Sequence, residues 1–163
     1  MKTTSKRINA LLGASAMIFA SSTAMAQDMS ITVTNLTQGL HFTPILTSAH
    51  TSDTQMFMSG EAATAEIQMM AEGGDISGLV SMLGNADANN SENPAAGLLA
   101  PGMSTTYTLT NDSANTHLSM VTMILPSNDG FVGLDRWEIP TDAGTYTINL
   151  NAYDAGTEAN NEL

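Results

Sequence analysis

The sequence predicts a mainly β protein, an antiparallel β-sandwich with a short helical insertion. Apolar and polar residues alternate in Met29–Thr37 and in Gly144–Leu150, as they do in strands with one buried face. Helix-forming composition is confined to residues 60–84. The seven or eight strands that we expect would bury their apolar faces in two packed antiparallel layers.

The first 26 residues have the three parts of a secretory signal peptide. Residues 2–7 contain three basic side chains, residues 8–20 are mostly apolar, and residues 24–26 read Ala-Met-Ala, a small-residue cleavage site. The apolar stretch is shorter than the roughly 20 residues that span a membrane. We therefore expect a signal peptide over residues 1–26, one mature domain over residues 27–163, and a secreted or periplasmic protein.

Loss of the signal peptide would leave a strongly acidic domain. All 16 Asp and Glu residues lie beyond residue 26, where Arg136 is the one remaining Lys or Arg, so the net charge becomes −15. Such a chain repels phosphate backbones and anionic lipids, so we expect neither nucleic acid binding nor membrane insertion. The chain has no cysteine, which excludes disulfides and thiolate metal sites.

The middle of the chain carries the helical insertion. Ala, Glu, Gln and Met between residues 60 and 71 favour a helix that ends at Gly73-Gly74, and Ile76–Leu83 favours a second, short helix. Asn85–Pro101 is polar and rich in turn residues, so we expect it to be a mobile loop. Strands follow, with Leu118–Leu125 the most apolar and therefore central. The further predicted strands are Thr106–Leu109, Phe131–Leu134, Trp137–Ile139 and Gly144–Leu150.

Two acidic loops each follow a predicted strand. Asp129 lies in Pro-Ser-Asn-Asp-Gly after the most apolar strand, and Asp154 and Glu158 lie in Tyr-Asp-Ala-Gly-Thr-Glu after the last one. If both loops lie at one pole of a sandwich, three carboxylates meet, and their mutual repulsion favours a divalent cation. Calcium prefers such oxygen ligands. Turn formation and solvation are the alternative roles of these acidic residues.

Several stretches resemble the spondin amino-terminal domain family. The more specific ones are Met-Ile-Leu-Pro-Ser-Asn-Asp-Gly-Phe-Val-Gly at residues 123–133 and Ala-Tyr-Asp-Ala-Gly-Thr-Glu at residues 152–158. The resemblance implies a C2-like β-sandwich with a calcium ion near one pole. It also implies that Asp129, Asp154 and Glu158 are the metal ligands. Glu158 stands where animal members carry Asp.

The chain ends soon after the second acidic loop, whereas members of that family continue into a further strand region. Either that final strand is dispensable in this chain, or the chain is a shortened member with an open sheet edge, through which the protein could self-associate. The resemblance leads us to expect an exported calcium-binding module for adhesion or protein interaction, with an unknown protein or matrix partner. The alternative is a structural subunit of a surface or matrix assembly.

Catalytic patterns are weak in this sequence, and we expect no catalytic residues. His41, His50 and His117 lack the spacing of a helical zinc pair, and no Gly-x-Ser-x-Gly elbow occurs. Asp129 and Glu158 could form a glycosidase pair, but only 5% of the chain is aromatic, which leaves few side chains to stack on sugars.

Overall fold

The computed structural model describes residues 27–159, and the expected signal peptide lies outside the described residues. Two antiparallel sheets and two short helices make up this part of the chain. The elements in chain order are β1 (Met29–Thr34), β2 (His41–Phe42), β3 (Leu46–His50), α1 (Ala65–Gly73), α2 (Ser77–Gly84), β4 (Asn89–Glu92), β5 (Ser104–Leu109), β6 (His117–Leu125), β7 (Gly130–Glu138) and β8 (Asn151–Asp154). The predicted mainly β, antiparallel character is confirmed, whereas the C2-like sandwich type stays a prediction.

The larger sheet is built around β6. Its strand order is β4-β3-β6-β7-β8, and β2 also pairs with the end of β6. β6 is buried from Leu118 to Ile124, so both of its faces are covered, which agrees with the central position predicted for this most apolar strand. Val121 and Met123 pack with the helices, whereas Met120 and Ile124 pack with Phe42 of β2 and Val33 of β1.

The smaller sheet pairs β1 with β5 in a continuous register from Met29 opposite Leu109 to Thr34 opposite Ser104. The hydroxyl groups of Thr32 and Thr106 lie 2.8 Å apart across this pair. The alternation of β1 therefore places its hydroxyl side chains on the exposed face, as predicted.

The helices lie where the composition predicts them. Thr64 caps α1 through its Oγ1 atom, which accepts a hydrogen bond from the Ile67 N–H at 3.3 Å. Gly74 ends the helix in the left-handed conformation, with φ of 69°. Ile67 and Met70 point into the core, and the side chain of Met69 faces outward, 48% exposed. Within residues 27–159, no helix is long and apolar enough to cross a membrane.

The predicted loop over Asn85–Pro101 is wrong in its centre, because Asn89–Glu92 form β4 and pair with β3. This strand is polar, so its side chains give no strand signal in the sequence. Its pairing and an amide network stabilise it instead. The Asn89 side chain accepts from the Asp112 N–H at 2.9 Å and from Asn115 Nδ2 at 2.7 Å. A segment that is ordered in this way does not fit the expected mobile loop.

The predicted strands after β6 also need correction. Phe131–Leu134 and the first two residues of Trp137–Ile139 belong to one strand, β7, which ends at Glu138. β7 contains an irregularity opposite the segment between Leu118 and Met120, and Arg136 has a positive φ of 47°. Gly144–Leu150 is not a strand, and β8 follows it at Asn151–Asp154. The alternation of residues 144–150 instead reflects Ile148 and Leu150 facing the protein interior, each half-buried, while their neighbours are exposed.

Gly133 lies where the helix-covered face of the larger sheet is tightly packed. A methyl group there would meet ring atoms of Phe57 at 2.6 and 2.8 Å. Phe57 is itself held in edge contacts with Phe131 and Tyr153. We expect Gly133→Ala to lower the free energy of unfolding by about 1–3 kcal/mol in urea titrations, as overpacking typically does.

Gly39→Ala is the matched control, because an added methyl group at Gly39 has nothing within 4 Å. It should change the free energy of unfolding by less than about 0.5 kcal/mol. Equal stabilities of the two variants would contradict the packing described for Gly133.

Candidate metal site

The turn that carries Asp129 is fixed by Ser127. The Ser127 hydroxyl donates to the carbonyl of Ile124 at 2.5 Å, and the same oxygen accepts from the Gly130 N–H at 3.1 Å. These bonds tie the end of β6 to the start of β7. They place Asp129 beside the end of β8, because Gly130 pairs with Asp154.

The Asp129 carboxylate fastens the second acidic loop to the sheet. Asp129 is 3% exposed. Its Oδ2 atom accepts from the N–H of Thr157 at 2.8 Å, the N–H of Glu158 at 3.0 Å and the hydroxyl of Thr157 at 3.3 Å. Its main-chain carbonyl accepts from the Ala155 N–H at 3.1 Å. One residue therefore orders the whole turn after β8.

These hydrogen bonds also set the charge of Asp129. Burial acts to raise the pKa of its carboxyl, but hydrogen bonds from Glu158, Thr157 and Gly156 together outweigh burial and hold the pKa below its ordinary value. These donors stabilise the ionised carboxylate more than the neutral carboxyl group. Asp129 is therefore a buried anion at neutral pH.

Asp154 shapes the loop from within. Its Oδ1 atom accepts from the Gly156 N–H at 2.7 Å, which forms a tight turn on its own backbone. Gly156 has φ of 70°, a conformation that glycine adopts without strain. The loop therefore turns tightly at Gly156, and the exposed Asp154 begins this turn.

Glu158 meets Asp129 through its backbone, and its side chain is exposed. Within residues 27–159, no group of three or more His, Asp or Glu side chains is arranged to hold a metal ion. The structure thus brings the two acidic loops together at one pole, as the sequence predicts, but does not gather three carboxylates. The assignment of Asp129, Asp154 and Glu158 as calcium ligands stays a prediction.

The chemistry of this pole fits calcium in part. Its side-chain donors are carboxylate oxygens, which suit a hard cation, and Asp129 and Asp154 belong to adjoining strand ends. However, Asp129 Oδ2 already accepts three hydrogen bonds. A bound ion would therefore depend on Asp154, on the remaining oxygen of Asp129 and on whatever Glu158 contributes.

A serine–histidine pair, which sequence reasoning missed, lies in the sheet interior. His50 Nε2 and Ser119 Oγ are 2.8 Å apart, and His50 Nδ1 lies 2.8 Å from the Thr51 carbonyl. Because a carbonyl only accepts, Nδ1 carries the proton and Ser119 donates to Nε2. The two residues are 69 positions apart in sequence, so no local motif could reveal them.

This pair has a structural role in the observed fold. Both side chains are fully buried, and burial is the main cause that lowers the pKa of His50, so its ring is neutral at pH 7. The Arg136 N–H donates to Ser119 Oγ at 2.9 Å. The pair thus satisfies the backbone where β6 and β7 lose their regular register.

The fold and the pole together define a small antiparallel β module whose two acidic loops are joined through one buried carboxylate. Comparison with known families agrees with this description. The sequence profile of Spondin_N matches residues 30–161, and the chain therefore belongs to the spondin amino-terminal domain family. No curated protein matches the chain.

We predict that Asp129→Asn loosens the loop at residues 154–158 and removes part of the loss of folding stability at acidic pH. The ionised carboxylate stabilises the fold above its unfolded pKa of about 3.9, and this contribution disappears as pH falls through the lower folded pKa. At pH 7 the variant should lose about 1–3 kcal/mol of unfolding free energy, because the three donors to Oδ2 lose their charged acceptor. Hydrogen exchange at the Thr157 and Glu158 amides should accelerate.

Asp142→Asn is the control, since Asp142 is an exposed acid away from this loop. It should leave both amides protected and the stability at pH 7 unchanged. The proposed anchoring by Asp129 is wrong if the two variants behave alike.

Proposed function

We propose that this spondin-family module is exported to the periplasm or the exterior and binds calcium at the pole formed by residues 126–129 and 154–158. We further propose that the ion-bound pole serves adhesion or interaction with a protein or matrix partner. Catalysis is not part of this proposal.

The observation that carries the proposal is the joining of the two acidic loops by Asp129. Its buried, ionised carboxylate holds the backbone of Thr157 and Glu158, and Asp154 lies on the neighbouring strand end. A preformed oxygen-rich turn favours calcium binding, because ordering a loose loop around the ion would reduce the affinity. The sequence beyond residue 26 also has 16 acidic side chains and one Lys or Arg, which attracts divalent cations to the surface.

Calcium should raise the melting temperature of the exported protein. Extracellular modules bind calcium with a dissociation constant on the order of 10⁻⁴–10⁻³ M. At about 100 times that constant, binding adds about 2.7 kcal/mol of stability, which corresponds to a shift of several degrees in a domain of this size. The measurement is thermal unfolding in chelator and in about 10–100 mM calcium, which is about 100 times those constants. Magnesium, which we expect to substitute poorly, is a third condition.

Single substitutions separate the roles of the acids in this measurement. Asp154→Asn keeps an oxygen that can accept from Gly156 but removes the charge, so it should lose most of the calcium response and keep its stability in chelator. Glu158→Gln tests the exposed side chain in the same way, and Asp142→Asn should respond as the wild type does. An identical wild-type melting temperature in calcium and in chelator would refute calcium binding and leave Asp129 as a purely structural anchor.

A role as an assembly subunit is the second candidate, and the position of β8 favours it. β8 is the last strand in the order of the larger sheet, and three of its four residues are exposed. An edge of this kind can pair with the same edge of a second copy. We expect light scattering after size exclusion to show a dimer whose population rises with concentration. A monomer across the whole concentration range would argue against assembly through β8.

A further inference from the structure

A large cavity separates the two sheets on the side opposite the helices. Its volume is about 710 Å³, and it lies between β1, the inner face of β6 and β7, and residues 139–150, which we call the strap. Asp129, Asp154 and Glu158 do not line it. It is therefore distinct from the acidic pole.

Apolar side chains that point into this cavity remain in contact with solvent. Ile31, Leu134, Ile148 and Leu150 line it, and each is only partly buried. All of these except Ile148 pack against the buried cluster that contains Met120. By contrast, Val121 of β6, on the face of the larger sheet that the helices cover, is completely buried. Apolar surface left open to water is unfavourable, so an apolar occupant that displaced this water would gain free energy.

The strap covers the cavity without joining a sheet. Residues 141–150 form no strand, and Tyr146 attaches them to β7 through its ring, centred 6.1 Å from that of Trp137. The Tyr146 hydroxyl donates to the Asp142 carbonyl at 2.9 Å, a hydrogen bond within the strap. A segment without ladder hydrogen bonds opens at a lower free-energy cost than a strand. The strap thus gives a molecule a route into the cavity. Trp137, the one tryptophan of the chain, lines the cavity and reports on its occupancy.

The charges around the cavity restrict what it can accept. Asp28 and Asp142 are among its lining residues, and the described lining contains no Lys, Arg or His. The hydroxyl of Thr47, a buried lining residue, already lies 2.6 Å from the Tyr107 hydroxyl. An anionic head group would find no cationic partner among these lining residues, while an apolar body would find matching surface.

We propose that this cavity binds a small apolar molecule that carries either no charge or a positive charge. Its volume lies within the roughly 300–1,000 Å³ of small-molecule sites, and such sites have mainly apolar walls with few polar groups. The acids at Asp28 and Asp142 select against a carboxylate or sulfate head. They favour an ammonium head over an anionic one of equal chain length.

The test uses the exported protein and Nile red, a neutral apolar dye, with Trp137 emission as a second signal. We expect saturable Nile red binding and a shift of Trp137 emission to shorter wavelength. Dodecyltrimethylammonium and dodecyl maltoside, kept below their micelle concentrations, should displace the dye. Dodecanoate should displace it at least about 10-fold more weakly, a difference of about 1.4 kcal/mol in binding free energy.

Two neighbouring substitutions on the strap locate the binding site. Ile148→Glu places a carboxylate inside the cavity and should weaken dye binding about 10-fold or more. Thr147→Glu adds the same charge at an exposed residue that does not line the cavity, so its binding should equal that of the wild type. Circular dichroism of both variants checks that they keep the fold.

A third substitution tests the proposed preference for a cationic over an anionic head group. Asp142→Lys should strengthen displacement by dodecanoate and weaken displacement by dodecyltrimethylammonium. The proposal is overturned if the wild type shows no saturable binding, if both strap variants lose binding equally, or if dodecanoate is the strongest competitor for the wild type.

Discussion

The structure depends on covering both faces of β6. Seven consecutive residues, Leu118 to Ile124, are buried, so each face of this strand needs its own apolar layer. The helices supply one layer. β1, β2 and neighbouring segments of the same chain supply the other. Polar groups inside the strand must then find internal partners, as Ser119 does with His50 and as the Thr122 hydroxyl does with the Thr43 carbonyl at 3.0 Å.

The two layers differ in how closely they pack, and this difference separates two regions of the molecule. On the helix side, Phe57, Phe131 and Tyr153 leave so little room that Gly133 has no space for a methyl group. On the other side, the strap does not complete a sheet, and a cavity of about 710 Å³ remains. The rigid face supports the start of β7 and thus Asp129, whereas the open face exposes apolar surface that a ligand can cover.

The acidic pole illustrates how a strongly acidic chain orders its loops with few cations. The only ion pair within residues 27–159 joins the adjacent residues Asp135 and Arg136 on the surface. Asp129 instead receives its compensation from backbone and hydroxyl donors of the loop that it holds. This arrangement stabilises the charge of Asp129 through fixed dipoles, and it holds the turn that Asp154 begins close to the sheet.

The sequence by itself determined the elements whose signal is local. The period of β1, the mostly apolar composition of β6 and the glycines that end α1 each follow from neighbouring residues. The sequence motifs also identified the family and the two acidic loops. Only the tertiary structure decided which polar segments pair: Asn89–Glu92 became a strand through β3, while Gly144–Leu150 did not, despite its alternation. It likewise decided that Glu158 meets Asp129 through its N–H, and that His50 meets Ser119. Such contacts join residues far apart in the chain, and their geometry arises from packing that no local pattern encodes.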